Sequence, residues 1–180
     1  MSKPLMSPCA PQQALQPGEL APGLVAWLCA ESGGALLDLE AYRAWAERPG
    51  AIHAALLPPA PPQDGQNVRA CPGCSRLMQR LRSGTEQGFR LDRCAACQML
   101  WLDRGEWEAL TAAGLTTDLI ALLSDAGQRL VQQDEARERR EADLEERLGE
   151  GTLLELQRIR SWLDGRSDRD ELLNLLRNGW

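Results

Sequence analysis

The middle of the chain alternates short apolar runs with turn residues, and the last third switches to a helical period. Leu77-Met78 and Phe89-Arg90-Leu91 flank the turn-forming Ser83-Gly84-Thr85, which predicts a short hairpin, and Trp101-Leu102 reads as a further strand. Asp103 followed three residues later by Glu106 predicts a helix N-cap with a capping box, after which Trp107 and Leu110 share one helical face. From Thr117 the pattern is helical, with Leu119, Leu122, Leu123, Ala126 and Leu130 in a narrow stripe. The stripe fades over 134–147, where Glu135 with Arg139 and Asp143 with Arg147 stand at i,i+4 spacing and support a solvent-exposed helix. Gly149 and Gly151 break it.

Thr152 with Glu155 then offers a cap for a second stripe of Leu153, Leu156, Ile159 and Leu163. Ser167 with Asp170 caps a last short helix carrying Leu172, Leu173, Leu175 and Leu176. Two short helices with this much leucine either form a hairpin of their own or need cover from a ribbon, a second copy or a partner groove. The heptad does not persist through the charged run, which argues against a coiled coil. Upstream, Leu57-Pro58-Pro59-Ala60-Pro61-Pro62-Gln63-Asp64-Gly65 is too rich in proline for a helix or central strand and predicts an extended linker over 49–68, with His53 a surface residue. The predicted fold class is α+β, with small β-rich units each followed by a short helix and a helical C-terminal region over 116–180.

Charge divides the chain the same way. The net charge is -6 over 180 residues, yet residues 69–115 carry seven basic and five acidic groups and are the only positive stretch. The overall sign is wrong for a protein that coats nucleic acid. Pro8, Pro11 and Pro17 interrupt any signal-peptide core, and nowhere do about 18 apolar residues run together, so neither secretion nor a membrane span is expected. The expected location is cytoplasmic and reducing, where clustered cysteines are more often metal ligands than disulfides.

Cys71-Pro72-Gly73-Cys74 and Cys94-Ala95-Ala96-Cys97, separated by nineteen residues, have the spacing of a four-cysteine zinc site. Two residues between ligands let a tight turn aim both sulfurs at one ion, and two such knuckles complete a tetrahedron with Zn–S bonds of about 2.3 Å. Pro72 and Gly73 suit that turn. Two disulfides or a thiol redox pair are the alternatives, and iron suits the same four thiolates. Four thiolates leave no coordination position for water, so the expected ion is structural, one Zn2+ per chain on Cys71, Cys74, Cys94 and Cys97.

The run Cys71-Pro-x-Cys74, Leu77, Leu91-Asp92-x-Cys94-x-x-Cys97 and Trp101-Leu102-Asp103-Arg104-Gly105-Glu106 resembles the bacterial TFIIB-type zinc-ribbon family over about forty residues. The resemblance implies the same four metal ligands and a link to transcription. The family has a Gly-Gly pair after the last cysteine, where this chain has Gln98-Met99.

At an offset of 65 the chain also matches itself: Cys29 falls on Cys94, Ser32 on Cys97, Leu37 on Leu102, Asp38 on Asp103 and Tyr42 on Trp107. With a loop three residues shorter, Cys9 falls on Cys71, Gln12 on Cys74 and Leu15 on Leu77. Residues 7–48 therefore read as a degenerate, metal-free ribbon, packed by Leu24, Val25, Trp27, Leu36, Leu37 and Trp45, beside the zinc ribbon of 69–115. No nucleophilic triad, phosphate loop or open metal site is visible, so no enzyme is expected. The leading functional reading is a non-catalytic adaptor or regulator that meets a protein partner, or itself, through its C-terminal helices. The alternative is a nucleic-acid or transcription-complex binder using Arg69, Arg76, Arg80, Arg82, Arg90, Arg93 and Arg104.

Overall fold

A computed structural model of the chain describes residues 4–50, 61–63, 65 and 67–179. His53 and most of the proline-rich linker lie outside the described residues. The chain forms two compact units, the first ending at Gln132 and the second beginning at Gln133.

In the first unit, six strands make one antiparallel sheet: β1 (Gln16–Ala21), β2 (Leu24–Leu28), β3 (Ala35–Asp38), β4 (Gln79–Arg82), β5 (Arg90–Cys94) and β6 (Met99–Leu102), in the order β1-β2-β3-β6-β5-β4. Residues 7–48 and 69–115 contribute three strands each, and β3 against β6 joins them, with Leu36 opposite Trp101 and Leu37 opposite Leu100. Side chains alternate between faces along a strand, so this register sorts the core into two layers. Ala35, Leu37, Leu100 and Leu102 face one core with Leu24, Ala26, Leu81, Phe89 and Leu91. Leu36 and Trp101 enter a second, smaller core with Leu15, Met78, Cys29, Cys71 and Cys94. The same alternation leaves Val25 57% and Trp27 38% exposed, so they do not pack this half as the sequence suggested. Leu77, 75% exposed, likewise yields its place to the buried Met78.

Each half places a helix on the larger core: α1 (Leu39–Ala46), with Tyr42 and Trp45 buried, and α2 (Glu106–Ala112), with Trp107 and Leu110 buried. Their N-termini differ. The Asp38 carboxylate accepts the N–H groups of Glu40 at 2.8 Å and Ala41 at 3.1 Å, a regular N-cap. Asp103 cannot do the same, because Arg69 and the Trp101 indole N–H occupy its carboxylate. Only half of the predicted capping box forms, with Glu106 Oε2 accepting the Asp103 N–H at 2.8 Å, and α2 starts after Gly105 instead.

The helix expected from Thr117 is broken into a 3-10 turn (Leu115–Thr117), α3 (Leu119–Leu122) and α4 (Asp125–Leu148). Leu119 and Leu123 fill the larger core, whereas Leu130 is exposed. Tyr42 ties this segment down: its buried hydroxyl donates to the Thr116 carbonyl at 2.7 Å and accepts the Leu119 N–H at 3.2 Å. At the start of α4, Gln128 Oε1 accepts the N–H of Arg82 on edge strand β4 at 2.8 Å, and its Nε2 donates to the Arg82 carbonyl at 3.0 Å.

The second unit holds the rest of α4, α5 (Glu150–Asp164) and α6 (Arg169–Asn178). Arg139 reaches Glu135 and Arg147 reaches Asp143, each at 3.3 Å, as the i,i+4 spacing predicts. The predicted caps at Thr152 and Ser167 do not form. Helix α5 resumes directly after Gly149, whose φ of +81° accounts for the break, and α6 follows Asp168, whose carboxylate is held by Arg166. No helix among the described residues is long and apolar enough to cross a membrane.

Glu106 is 1% exposed, and burial, together with the negative Asp103 and Asp92, pushes its carboxyl up to about 9. The folded protein thus keeps a proton that the unfolded chain releases above about 4.5, so this group lowers stability as pH rises through that interval. Glu106→Gln is expected to flatten that decline and to be more stable than the parent at pH 8 by up to about 5 kcal/mol, since pH 8 lies roughly 3.5 units above the unfolded value and a tenfold change in proton affinity is worth about 1.4 kcal/mol. Urea denaturation of both zinc-loaded proteins between pH 5.5 and 8.5 reports it. Parallel pH profiles would refute the buried neutral carboxyl.

Candidate metal centre

The first knuckle is closed by its own backbone. Cys71 N–H donates to the Arg76 carbonyl and Ser75 N–H to the Cys71 carbonyl, both at 2.8 Å, and Ser75 takes φ +61° to complete the turn. The second knuckle links β5 to β6 and turns at Gln98, a non-glycine residue at φ +53° whose side-chain amide donates to the Ala95 carbonyl at 2.7 Å. That bond serves the turn where the family pattern has glycine.

These turns bring the Sγ atoms of Cys71, Cys74, Cys94 and Cys97 within 4.8 Å of one another, with Cys74 and Cys94 at 3.6 Å. A tetrahedron with Zn–S bonds of about 2.3 Å has edges of roughly 3.8 Å, so the four cysteines are positioned to bind one zinc ion. All six cysteines are free, which sets disulfide pairing aside in this structure. Cys71 and Cys94 are buried and Cys74 is exposed. The Arg76 N–H, followed by neighbouring thiols, draws Cys74 down to about 7, while the Cys74 thiol leads the groups that push Cys97 up to about 12.

Trp101 is fully buried in the small core with Cys71 and Cys94, whereas Trp107 lies in the larger core. Only the first of the two tryptophans covers the metal site. Behind it, Arg69 donates to Asp92 at 2.6 Å and to Asp103 at 2.7 Å, and Trp101 Nε1 donates to Asp103 at 2.8 Å. This network ties the segment entering the first knuckle to β5 and to the end of β6. Sequence reading assigned Arg69 to a phosphate surface and missed its partners; the available signal was Asp92, a charged residue between the apolar Leu91 and the ligand Cys94. Cys9 Sγ lies 3.6 Å from Asp103 Oδ1, and Cys29 is buried; neither belongs to the four-sulfur group.

Residues 68–113 match the family model of the TFIIB-type zinc ribbon, described as a transcription factor zinc-finger. No curated protein and no solved structure matches the chain.

The purified, reduced protein is expected to carry one zinc ion per chain. Cys71→Ser or Cys97→Ser should lose it, with local unfolding, while Cys9→Ser and Cys29→Ser should retain it. Elemental analysis of each variant decides the matter. Metal-free parent protein, or zinc lost on changing Cys9 or Cys29, would contradict the assignment.

Proposed function

We propose that the protein is a non-catalytic zinc-ribbon adaptor or regulator acting through protein–protein contacts. The observation that carries this reading is in the second unit, where Leu154, Leu156, Ile159 and Trp162 of α5 and Leu173, Leu175 and Leu176 of α6 are all exposed. Among the described residues Leu163 alone is buried there, so the two helices do not hide their apolar side chains in a hairpin core. Apolar side chains clustered on short helices are what a partner groove or a second copy covers. A closed four-thiolate shell supports a structural rather than a catalytic ion. Six free thiols suit a reducing, cytoplasmic setting.

A second reading, nucleic-acid binding, draws on a narrower set of arginines than the sequence offered. Arg69 is committed to Asp92 and Asp103, Arg80 also reaches Asp92 at 3.6 Å, and Arg93 donates to the Leu123 carbonyl, while Arg76 and Arg104 stay exposed. Arg80, Arg82, Arg90 and Arg129 line a cleft of about 490 Å³ with Asp125 and three glutamines, and that basic lining favours an anionic ligand.

We also read residues 7–48 as a metal-free counterpart of the ribbon. The support is positional: each half supplies three strands and a helix, Leu36 and Trp101 stand opposite each other 65 residues apart, and Gly33 at φ +71° precedes Gln98 at φ +53° by the same interval.

Truncation after Gly165 should leave one zinc per chain and abolish self-association or partner capture, as should Leu173→Glu with Leu176→Glu. Light scattering after size exclusion, with a pull-down, measures both; unchanged mass and unchanged partners would remove the adaptor reading. For nucleic acid, an anisotropy titration against single- and double-stranded probes should show an affinity that falls on the order of 100-fold between 50 and 200 mM salt for about four phosphate contacts. Absence of binding at low salt eliminates that reading.

A further inference from the structure

A cluster in the first half remains outside the zinc chemistry: Ser7, Ala10, Cys29 and Ser32. Their significance rests on the reading of residues 7–48 as a ribbon counterpart, and the backbone hydrogen bonds set the register more finely than the cysteines do. Ser7 N–H donates to the Gln13 carbonyl at 2.9 Å, as Cys71 N–H does to Arg76 at 2.8 Å. Leu15 N–H donates to Leu5, as Met78 N–H does to Arg69, both at 2.8 Å. The bridge Met6–Ala14 likewise corresponds to Ala70–Leu77.

By these bonds Ser7-Pro8 superposes on Cys71-Pro72, Ala10 on Cys74 and Leu15 on Met78, with one residue more in the first turn. Burial agrees: Ser7 and Cys71 are both buried, as are Leu15 and Met78. Cys9 and Gln12, which the sequence match placed on Cys71 and Cys74, fall out of the set. At the second knuckle the interval of 65 holds, giving Cys29 for Cys94 and Ser32 for Cys97.

Bonds from the side chains of Ser7, Cys29 and Ser32 and from the Ala10 backbone N–H mimic a knuckle. Ser7 Oγ accepts the N–H groups of Cys9 at 3.3 Å and Ala10 at 3.2 Å, as the Cys71 thiol accepts those of Gly73 and Cys74. Ser32 N–H donates to Cys29 Sγ at 3.5 Å. Burial acts to raise the Cys29 thiol, but the Ser32 and Ser7 hydroxyls beside it, with the backbone of Ser32 and Glu31, outweigh it and draw the thiol below its ordinary range. One thiol, two hydroxyls and a methyl are a poor donor set for zinc, so the hydrogen bonds hold the turn that the ion holds in the other half. We propose that Ser7, Ala10, Cys29 and Ser32 are a second zinc position whose ligands have been replaced, still in metal-binding geometry and restorable by three substitutions.

The test is Ser7→Cys/Ala10→Cys/Ser32→Cys in the full chain. Zinc content should rise from one to two per chain, Co2+ should show twice the parent's thiolate charge-transfer absorption, and adding Cys29→Ser should return both to the parental level. The rival register is tested by Gln12→Cys/Ser32→Cys, which should stay at one; a second ion there instead would overturn the assignment. If the triple variant folds with its native zinc yet binds no second ion, the proposal fails. Oxidation of Ser7→Cys then separates the two levels: a disulfide to Cys29 preserves the ribbon counterpart and removes only the metal inference, and no disulfide removes both. Should the triple variant not fold, Ser7→Cys/Ser32→Cys sets three thiols around the position, and failure to bind a second Co2+ in that variant counts against the proposal equally.

Discussion

Four residue pairs between β3 and β6 hold the first unit together. Without them each half would be a three-stranded sheet under one short helix, with a core too thin to stand alone. With them, Leu36 and Trp101 meet at the centre of one layer while Leu37, Leu100 and Leu102 meet in the other. The metal centre gains from this directly, because β6 carries Trp101 under the thiolates and its end carries Asp103 to Arg69. Zinc fixes the knuckles locally, and the shared sheet places them.

The charge on the ribbon takes a different meaning once the fold is known. Its positive excess over 69–115 suggested a surface for phosphates, but the half-buried Arg69 holds the fully buried Asp92 as an internal strut. Asp92 is shared between Arg69 and Arg80, and Arg69 between Asp92 and Asp103, so the network specifies a geometry more than it strengthens the fold. Arg76 and Arg104 stay exposed, and the half-buried Arg80, Arg82 and Arg90 line the cleft bordered by β4 and the start of α4 together with an aspartate and three glutamines, a more mixed surface than the count of arginines implied.

The four ligands were legible in the sequence because two Cys-x-x-Cys turns at ribbon spacing admit few other geometries. The strands around them and the buried face of α2 followed from local pattern in the same way. The failures have a common origin in contacts made at long sequence separation. Asp103 looked like a helix cap because its local spacing fits one, but Arg69, thirty-four residues away, and the Trp101 indole take its carboxylate elsewhere. Val25 and Trp27 looked like core because they are apolar, yet the β2 register turns both outward. In each case a residue's neighbour in space outweighed its neighbours in sequence.

The Gln128 side chain, which engages both backbone groups of Arg82, has a consequence for behaviour in concentrated solution. An open sheet exposes two edges, each a template on which another molecule's strand can add. On β4 the amide of Gln128 already occupies one residue's bonding sites, and arginines flank it; on β1 Pro17 has no N–H to give an added strand, and the register shifts between Glu19 and Ala21. Both borders therefore resist strand addition. Edge-to-edge polymerisation is blocked by a side chain from a helix at one border and by a pyrrolidine ring at the other.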